Sequence, residues 1–249
     1  MFEFSVRQKH HYRRMIYKSY KSLLFTIGLL ALPFIFFFVG TQVAHVAFLP
    51  LMGDLAVSFY RLMAAFVLSV LIAWPCAVLF YKGRRGAVAL PLFDVLQSFP
   101  TFAAMPLAVF MLGAERIDSV IILFLVFTII WPIFFTIVSN MKMMRTDWQE
   151  AAFVYDMKGF NYFKKFLVPV TLPGVITGSI IGLGEGWEAL IATEMIVASQ
   201  NGLGHFFQSY SHDAMITSFG IVGFLFLIFV INKIVWLSLL DWSHHVMEE

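Results

Sequence analysis

Three glutamates follow an apolar run, from residue 166 to residue 184, that contains no Asp, Glu, Lys or Arg. They are Glu185, Glu188 and Glu194. A carboxylate inside a membrane is costly, so it usually faces a polar path or an opposite charge. Glu185 and Glu188 are three positions apart and share one helical face. We predict that one of them lines a path or pairs with Arg61; a structural ion pair or a dimer contact is the alternative.

Other reactive side chains do not form a catalytic pattern. Cys76 is the single cysteine, so no disulfide can form within the chain. His205, His212 and Asp213 lie close in sequence, but their spacing is not that of a helical metal site, and we interpret the histidines as interface residues. The Gly-x-x-x-x-Gly-Lys-Ser/Thr motif that binds nucleotide phosphates is absent. We therefore predict no catalytic residue, no metal and no bound cofactor.

A polar segment between residues 140 and 168 has helical character. Thr146 and Gln149 have the spacing of a capping box, which predicts a helix beginning near Asp147. One face of this helix is apolar, because apolar residues recur at i, i+3, i+4 and i+7: Trp148, Ala151, Ala152 and Tyr155. Such a face outside the bilayer needs a soluble partner or the membrane surface to cover it.

The same segment predicts a second short helix. Gly159 is placed to end the first helix in a left-handed conformation. A second helix is then expected from Asn161 to Phe166, leading into Pro169.

Composition indicates a membrane protein. Of the 249 residues, 60% are hydrophobic and 13% are charged, against about 25% charged residues in soluble domains. Several runs of roughly 20 residues lack charge, and that length of helix crosses a bilayer. We predict an all-α protein with six transmembrane helices, at 23–48, 56–81, 88–112, 119–140, 168–196 and 217–240.

The basic residues predict the orientation. Fourteen of the 17 lie on alternate connections, which all fall on one side of a six-span protein: Arg7, Lys9, Arg13, Arg14, Lys18, Lys21, Lys82, Arg84, Arg85, Lys142, Arg145, Lys158, Lys164 and Lys165. The positive-inside rule makes that side cytoplasmic, so both termini are predicted to be cytoplasmic. The first apolar run is too long for a signal peptide and is interpreted as a retained span. Nothing indicates nucleic-acid binding, since the basic clusters flank the membrane.

Span three contains Pro91, Pro100 and Pro106. Proline removes a helical hydrogen bond, so we predict a kinked or broken helix. Such a break lines a pathway in some proteins and serves packing in others.

The motif Glu150-Ala151-Ala152 resembles the cytoplasmic "EAA" loop of binding-protein-dependent ABC transporter permeases. The family pattern is Glu-Ala-Ala, three residues, Gly, nine residues, then Ile-x-Leu-Pro. The spacing here matches as far as Pro169, with Phe166 and Val168 as apolar replacements. Asp156 stands at the position of the family glycine, and aspartate is among the few other residues that tolerate a left-handed turn.

Further fragments are similar to the nitrate/sulfonate/taurine branch of that family. They are Ser58 and Arg61, the segment 94–100, Trp187 with Glu194 and Met195, and Gly202 with Gly204. The resemblance covers roughly residues 55 to 240. It implies a MetI-like permease core whose loop, with Glu150, Ala151, Ala152, Tyr155, Asp156, Gly159 and Pro169, docks on an ATPase.

The resemblance also implies the wider organisation. The expected parts are a basic cytoplasmic segment (1–21), a first span with its outer connection (22–54), the permease domain (55–240) with its coupling loop (141–168), and a cytoplasmic tail (241–249). The expected partners are ABC ATPase subunits that use ATP and Mg²⁺, an extracytoplasmic solute-binding protein and a second permease subunit, identical or different, in the inner membrane. A small anion is the expected solute. The alternatives are an ATP-independent secondary transporter, for which no inverted repeat is evident, and an intramembrane enzyme, for which no nucleophile or metal set is found.

Overall fold

The apolar runs of the sequence form helices, because a backbone in lipid must satisfy its own hydrogen bonds. The structure, a computed structural model, describes residues 27–29, 31–231 and 233. This described part contains no strand. Its α-helices are α1 (27–29 and 31–43), α2 (Phe48–Phe80), α3 (Gly83–Gln97), α4 (Thr101–Leu112), α5 (Ile117–Lys142), α6 (Thr146–Val154), α7 (Gly159–Tyr162), α8 (Val168–Ile196), α9 (Leu203–Ser209) and α10 (Ala214–Ile231).

Four helical segments of the described chain are long and apolar enough to cross a membrane: Phe48–Phe80, Ile117–Lys142, Gly159–Ile196 and Ala214–Ile231. The bent pair of α3 and α4 makes a fifth if it counts as one span. The six predicted spans are therefore not confirmed. The helical stretch within 27–43 is shorter than a full span, and the rest of the first predicted span lies outside the described residues.

The predicted break in span three is confirmed. Helices α3 and α4 meet at an angle of 82° across residues 98–100. Pro100 precedes the first residue of α4, and a residue before proline is pushed out of the helical region. Pro91 and Pro106 lie inside α3 and α4 without ending them. Pro100, the second of the three prolines, is therefore the one that coincides with the break.

Helix α8 packs against α5 along a ridge of glycines spaced four residues apart. A Cβ atom on Gly178 would lie 2.6 Å from Ile133 Cα, and one on Gly174 would lie 2.9 Å from Ile137 Cα. A Cβ on Gly182 would lie 3.1 Å from the backbone oxygen of Ile129, whereas one on Gly186 would meet only side-chain atoms. Small residues at this spacing let two membrane helices approach closely, which increases their van der Waals contact. The ridge fixes α8 against α5.

Residues 49–213 lie in one compact unit, which contains the glycine ridge. Helix α10 belongs with α1 in a second unit. In that second unit, the rings of Phe36 and Phe219 stack at 5.4 Å, and Phe37 lies over Gly223. Aromatic stacking and a close helix approach at glycine hold these two helices together.

The connection before α2 is shorter than predicted. The outer connection expected to end at residue 54 is reduced to the residues between Val43 and Phe48, because α2 already begins at Phe48. The boundary predicted after residue 54 falls inside α2. The terminal segments 1–21 and 241–249 lie outside the described residues.

Candidate functional site

A buried ion pair joins α2 to the end of α8 that is remote from α6 and α7. Arg61 is 4% exposed, Glu194 is 0% exposed, and their atoms Nη1 and Oε1 are 2.6 Å apart. Arg61 also donates to Asp118, at the start of α5, through Nε at 3.0 Å and Nη2 at 2.5 Å. One guanidinium therefore ties together three helices with charge-assisted hydrogen bonds.

The carboxylate of Glu194 accepts hydrogen bonds from every side. Besides Arg61, Ser58 Oγ donates to it at 2.8 Å, and the backbone N–H of Gly204 donates at 2.8 Å. Ser58 Oγ in turn accepts the N–H of Leu203 at 2.8 Å. A buried charge is tolerated when its lone pairs are satisfied in this way. The carboxylate thus holds the loop between α8 and α9 against α2.

Two glycines let that loop approach Glu194. Gly202 has φ of +113°, and a Cβ there would lie 2.5 Å from Glu194 Oε1. A Cβ on Gly204 would lie 2.4 Å from Glu194 Cβ. The N–H of Gly202 donates to Asp54 at 2.8 Å. Any side chain at either position would push the loop off the carboxylate.

The predicted partner of Arg61 was wrong. The sequence predicts a pairing of Arg61 with Glu185 or Glu188 as the alternative to a path-lining role, whereas the structure pairs Arg61 with Glu194 and Asp118. Helical spacing tells which residues share a face, but it does not tell the depth at which two helices meet. Asp118 was missed altogether; its signal was an acidic residue in the first turn of an apolar helix, at the same membrane side as Glu194.

A second polar site lies at the bend between α3 and α4. A cavity of about 540 Å³ is bordered by α3, α4, α5 and α8. Its polar lining consists of two carboxylates, one amide and three hydroxyls: Asp94, Glu185, Gln97, Thr101, Thr128 and Thr136. Among the lining residues that the structure describes, none is basic. The cavity has the volume of a small-molecule site.

Aromatic rings form much of the remaining wall, from Phe102, Phe127, Trp131 and Phe135. Trp131 packs edge-on against Phe127, with ring centroids 5.4 Å apart. Its Nε1 is buried and has no hydrogen-bond partner in the described part of the chain. A buried donor left without an acceptor costs about 1–3 kcal/mol. Among the described residues that line this cavity, Trp131 thus has a buried donor that no described acceptor satisfies.

Glu185 and Glu188 lie on one exposed face of α8, as their spacing predicts. Both side chains are exposed in the single chain, and only Glu185 lines the cavity. Glu185 lies 11 residues before the end of α8, about 16 Å along the helix axis. A carboxylate at that depth does not face lipid. We therefore expect this face of α8 to contact water or another protein.

The predicted loop helix begins at Thr146, next to the expected Asp147. Ala152 is 7% exposed and packs in a cluster with Phe166 and Val170. Glu150 is exposed, and the side chain of Ala151 lies outside what the structure describes. The predicted apolar face is thus divided: Ala152 holds the helix to the chain, whereas Trp148 and Tyr155 are 37% and 76% exposed.

The end of this helix differs from the prediction. Helix α6 ends at Val154, not at Gly159, and Asp156 takes the left-handed conformation with φ of +47°. Gly159 is also left-handed, with φ of +56°, but it begins α7. The aspartate at the family glycine position therefore makes the turn that the glycine would make.

The second predicted helix, 161–166, is part of a longer element. Helix α7 spans Gly159–Tyr162 and continues through a π-helical turn, Phe163–Leu167, into α8. Pro169 lies in the first turn of α8. Proline has no N–H to donate to the preceding turn. The missing hydrogen bond coincides with the π-helical turn, in which the hydrogen-bond spacing is already irregular.

The chain is similar in sequence to several permease proteins. A putative ABC transporter permease protein of Methanocaldococcus jannaschii is 27% identical over 183 residues, covering 72% of this chain and 68% of that protein. Nitrate import permease protein NrtB of Synechocystis is 29% identical over 142 residues, or 54% of this chain and 50% of NrtB. Bicarbonate transport system permease protein CmpB of Synechococcus elongatus is 27% identical over 176 residues, or 68% and 63%. The chain thus spans between half and about two thirds of these relatives.

The family described as "binding-protein-dependent transport system inner membrane component" matches residues 65–248, which is most of the chain. Its members are non-catalytic permease subunits of ABC transporters, which agrees with several apolar helices suited to a multi-pass inner-membrane protein. The chain belongs to the family of binding-protein-dependent ABC transporter permeases.

Proposed function

We propose that this chain forms half of the translocation pore of an ABC importer and that the α6–α7 loop couples the pore to a separate ATPase. The single observation that carries the coupling is an uncovered apolar surface at this loop. Val154, Tyr155 and Phe160 are 77%, 76% and 74% exposed. Neighbouring apolar side chains left exposed mark an interaction surface.

The loop is also anchored in a way suited to transmitting force. Ala152 packs with Phe166 and Val170, which lie at the start of α8 and in the turn before it. Helix α8 carries Glu185 at the cavity and Glu194 at the buried ion pair. A push on α6 would therefore act directly on the helix that borders both sites.

In this proposal two permease subunits, identical or different, enclose the pore, and a solute-binding protein delivers the solute from outside. ATP-driven closure of the ATPase dimer draws the two loops together and turns the pore outward. Hydrolysis and phosphate release return it to the inward state. ATP and Mg²⁺ belong to the ATPase subunits, and both termini of this chain lie in the cytoplasm.

The solute class has two lines of support that disagree. The sequence resemblance and the names of a nitrate and a bicarbonate permease among the relatives favour a small anion. The two carboxylates and the absence of described basic lining residues in the cavity favour a different class. The lining residues belong to this chain itself, whereas the Synechocystis nitrate permease and the Synechococcus elongatus bicarbonate permease are only 29% and 27% identical to it. We therefore give the lining more weight.

The coupling is tested by co-purification. Glu150→Lys reverses an exposed charge on α6, and Tyr155→Ala removes an exposed ring; both should release the ATPase from the detergent-solubilised complex. Glu115→Lys, an exposed charge reversal just before α5, is the matched control and should retain the ATPase. Retention of the ATPase by both loop variants would contradict the coupling.

A second measurement separates this proposal from an ATP-independent carrier. The complex in proteoliposomes should accumulate solute only with ATP and the binding protein present. Uptake by the chain alone, driven by an ion gradient, would instead support a secondary transporter.

A further inference from the structure

The cavity at the α3–α4 bend has a charge opposite to the one that an anion would require. Its charged lining residues are Asp94 and Glu185, and among the described lining residues no lysine, arginine or histidine balances them. Pores that select cations are lined by carboxylates, whereas pores for anions are lined by arginine or lysine. Nitrate or bicarbonate at this place would meet repulsion from both carboxylates.

The helix ends at the bend do not reverse this sign. Gln97, the last residue of α3, and Thr101, the first residue of α4, both line the cavity. The C-terminal end of a helix carries a partial negative charge and the N-terminal end a partial positive charge of about the same size. The two ends therefore offset each other, and the formal charges of the carboxylates decide the potential.

Neither carboxylate is neutralised by a residue that the structure describes. Asp94 accepts one hydrogen bond, from the amide of Gln97 at 2.7 Å, and has no described ion-pair partner. Glu185 has no described hydrogen-bond or ion-pair partner, and Glu188, three residues further along the same helix, is also acidic. Elsewhere on α8, Glu194 is fully paired. The carboxylates at the cavity thus remain available to a bound group.

The aromatic wall suits the same kind of ligand. Phe102, Phe127, Trp131 and Phe135 line the cavity together with the carboxylates. A cation is attracted to the face of an aromatic ring, most strongly to that of tryptophan. A volume of about 540 Å³ is large enough for a small organic molecule that contains one ring.

We infer that the α3–α4 cavity binds a small organic solute through a positively charged nitrogen group, which Asp94 and Glu185 accept while the aromatic wall covers its apolar part. This inference rests on the proposed transport function, because it gives the solute class of that pore. It excludes nitrate and bicarbonate as the group bound at this cavity. An amine, amidine or guanidine on an aromatic or aliphatic body fits the lining.

The test uses four probes on the nucleotide-free permease–ATPase complex in nanodiscs. Benzylammonium, benzyl alcohol and benzoate share one ring and differ in charge, and nitrate represents the small anions. Binding is followed by isothermal titration. Benzylammonium should bind most tightly, benzyl alcohol at least tenfold more weakly, and benzoate and nitrate more weakly still.

Variants locate the binding. Glu185→Gln and Asp94→Asn should each weaken benzylammonium binding at least fivefold and bring it close to that of benzyl alcohol. Glu188→Gln is the matched control, because Glu188 shares the exposed face of α8 without lining the cavity, and it should leave the affinity unchanged.

Tighter binding of benzoate or nitrate than of benzylammonium overturns the inference. So does benzylammonium binding that is absent, or that Glu185→Gln and Asp94→Asn leave unchanged. Co-purification of the ATPase with the same variants is measured in parallel. If the unaltered permease does not retain the ATPase, the proposed function fails. If it retains the ATPase but binds the probes in the wrong order, only the inference about the solute class fails.

Discussion

Glu194 and Glu185 lie nine residues apart on one helix and differ in almost every physical respect. Glu194 is completely buried and accepts hydrogen bonds from Arg61, Ser58 and Gly204. Glu185 is exposed in the single chain and has no described hydrogen-bond partner. One carboxylate is used to hold the chain together, and the other is left open to the cavity.

The same division applies to the two faces of α8. One face carries the glycine ridge, where a Cβ on Gly178 would lie 2.6 Å from the backbone of α5. The other face carries Gly184, where a Cβ would meet nothing within 4 Å. A helix held rigidly on one side can present charges on the other at fixed positions. In the proposed function, the charge that stabilises the chain and the charge that contacts a solute thus lie on different faces of one helix.

Arg61→Ala tests the structural half of this contrast and should have the largest effect. It leaves the buried Glu194 carboxylate without its counter-ion, and breaking a buried pair in this way costs about 3–5 kcal/mol. We expect a large fall in the midpoint of thermal unfolding in detergent. Asp118→Asn is the control: Asp118 is 70% exposed, so its loss should cost far less. Equal effects of the two variants would mean that Glu194 is not the dominant partner.

Gly178→Ala tests the packed face of α8. The added methyl group has to separate α8 from α5, and overpacking of this kind costs about 1–3 kcal/mol. Gly184→Ala makes the same chemical change on the open face and should be neutral or slightly stabilising, since alanine favours helix more than glycine does. Unfolding midpoints of the two variants, measured side by side, give the difference. A matching loss at Gly184 would show that the second face is also packed.

Glu185→Gln tests the open carboxylate. No described contact depends on it, so the free energy of unfolding should change by less than about 0.5 kcal/mol, while transport by the complete complex falls. Glu194→Gln should show the reverse order, with stability lost first, because the buried donors around it lose a charged acceptor. A destabilised Glu185→Gln variant with normal transport would reverse the assignment of the two glutamates.

Arg145→Ala should have the smallest effect. Arg145 and Asp147 are 2.7 Å apart, close to the distance in the buried pair, but their side chains are 71% and 65% exposed. The hydrogen bond from Arg145 lowers the pKa of the Asp147 carboxyl. Any stability from this pair is therefore present above the usual aspartate pKa and lost as the pH falls. Solvent screens such pairs, so the unfolding midpoint at neutral pH should not move measurably.

Much of the fold follows from local sequence. Runs without charge predict the long helices, and the prolines of span three predict a break there, although only Pro100 lies at it. Both effects act within a few residues. Boundaries were less accurate. Helix α2 begins at Phe48 and not near residue 56, because the apolar residues before Asp54 continue the helix without a stop signal.

The site could be predicted only in fragments. Ser58, Arg61, Glu194 and Gly202 were each singled out by resemblance, but their convergence depends on how deeply α2 and α8 overlap, and that is set by packing against α5. The π-helical turn at Phe163–Leu167 and the role of Asp118 likewise depend on neighbours distant in sequence. Whether the first predicted span crosses the membrane, and which side the termini face, remain predictions.

The break between α3 and α4 has a consequence for biogenesis. Residues 98–100 are exposed, and backbone outside a helix is tolerated at membrane depth only beside protein or water. A newly inserted copy without its neighbours would present this non-helical backbone to lipid at that point. We therefore expect the unassembled chain to be cleared from cells faster than a chain whose break is covered by another protein.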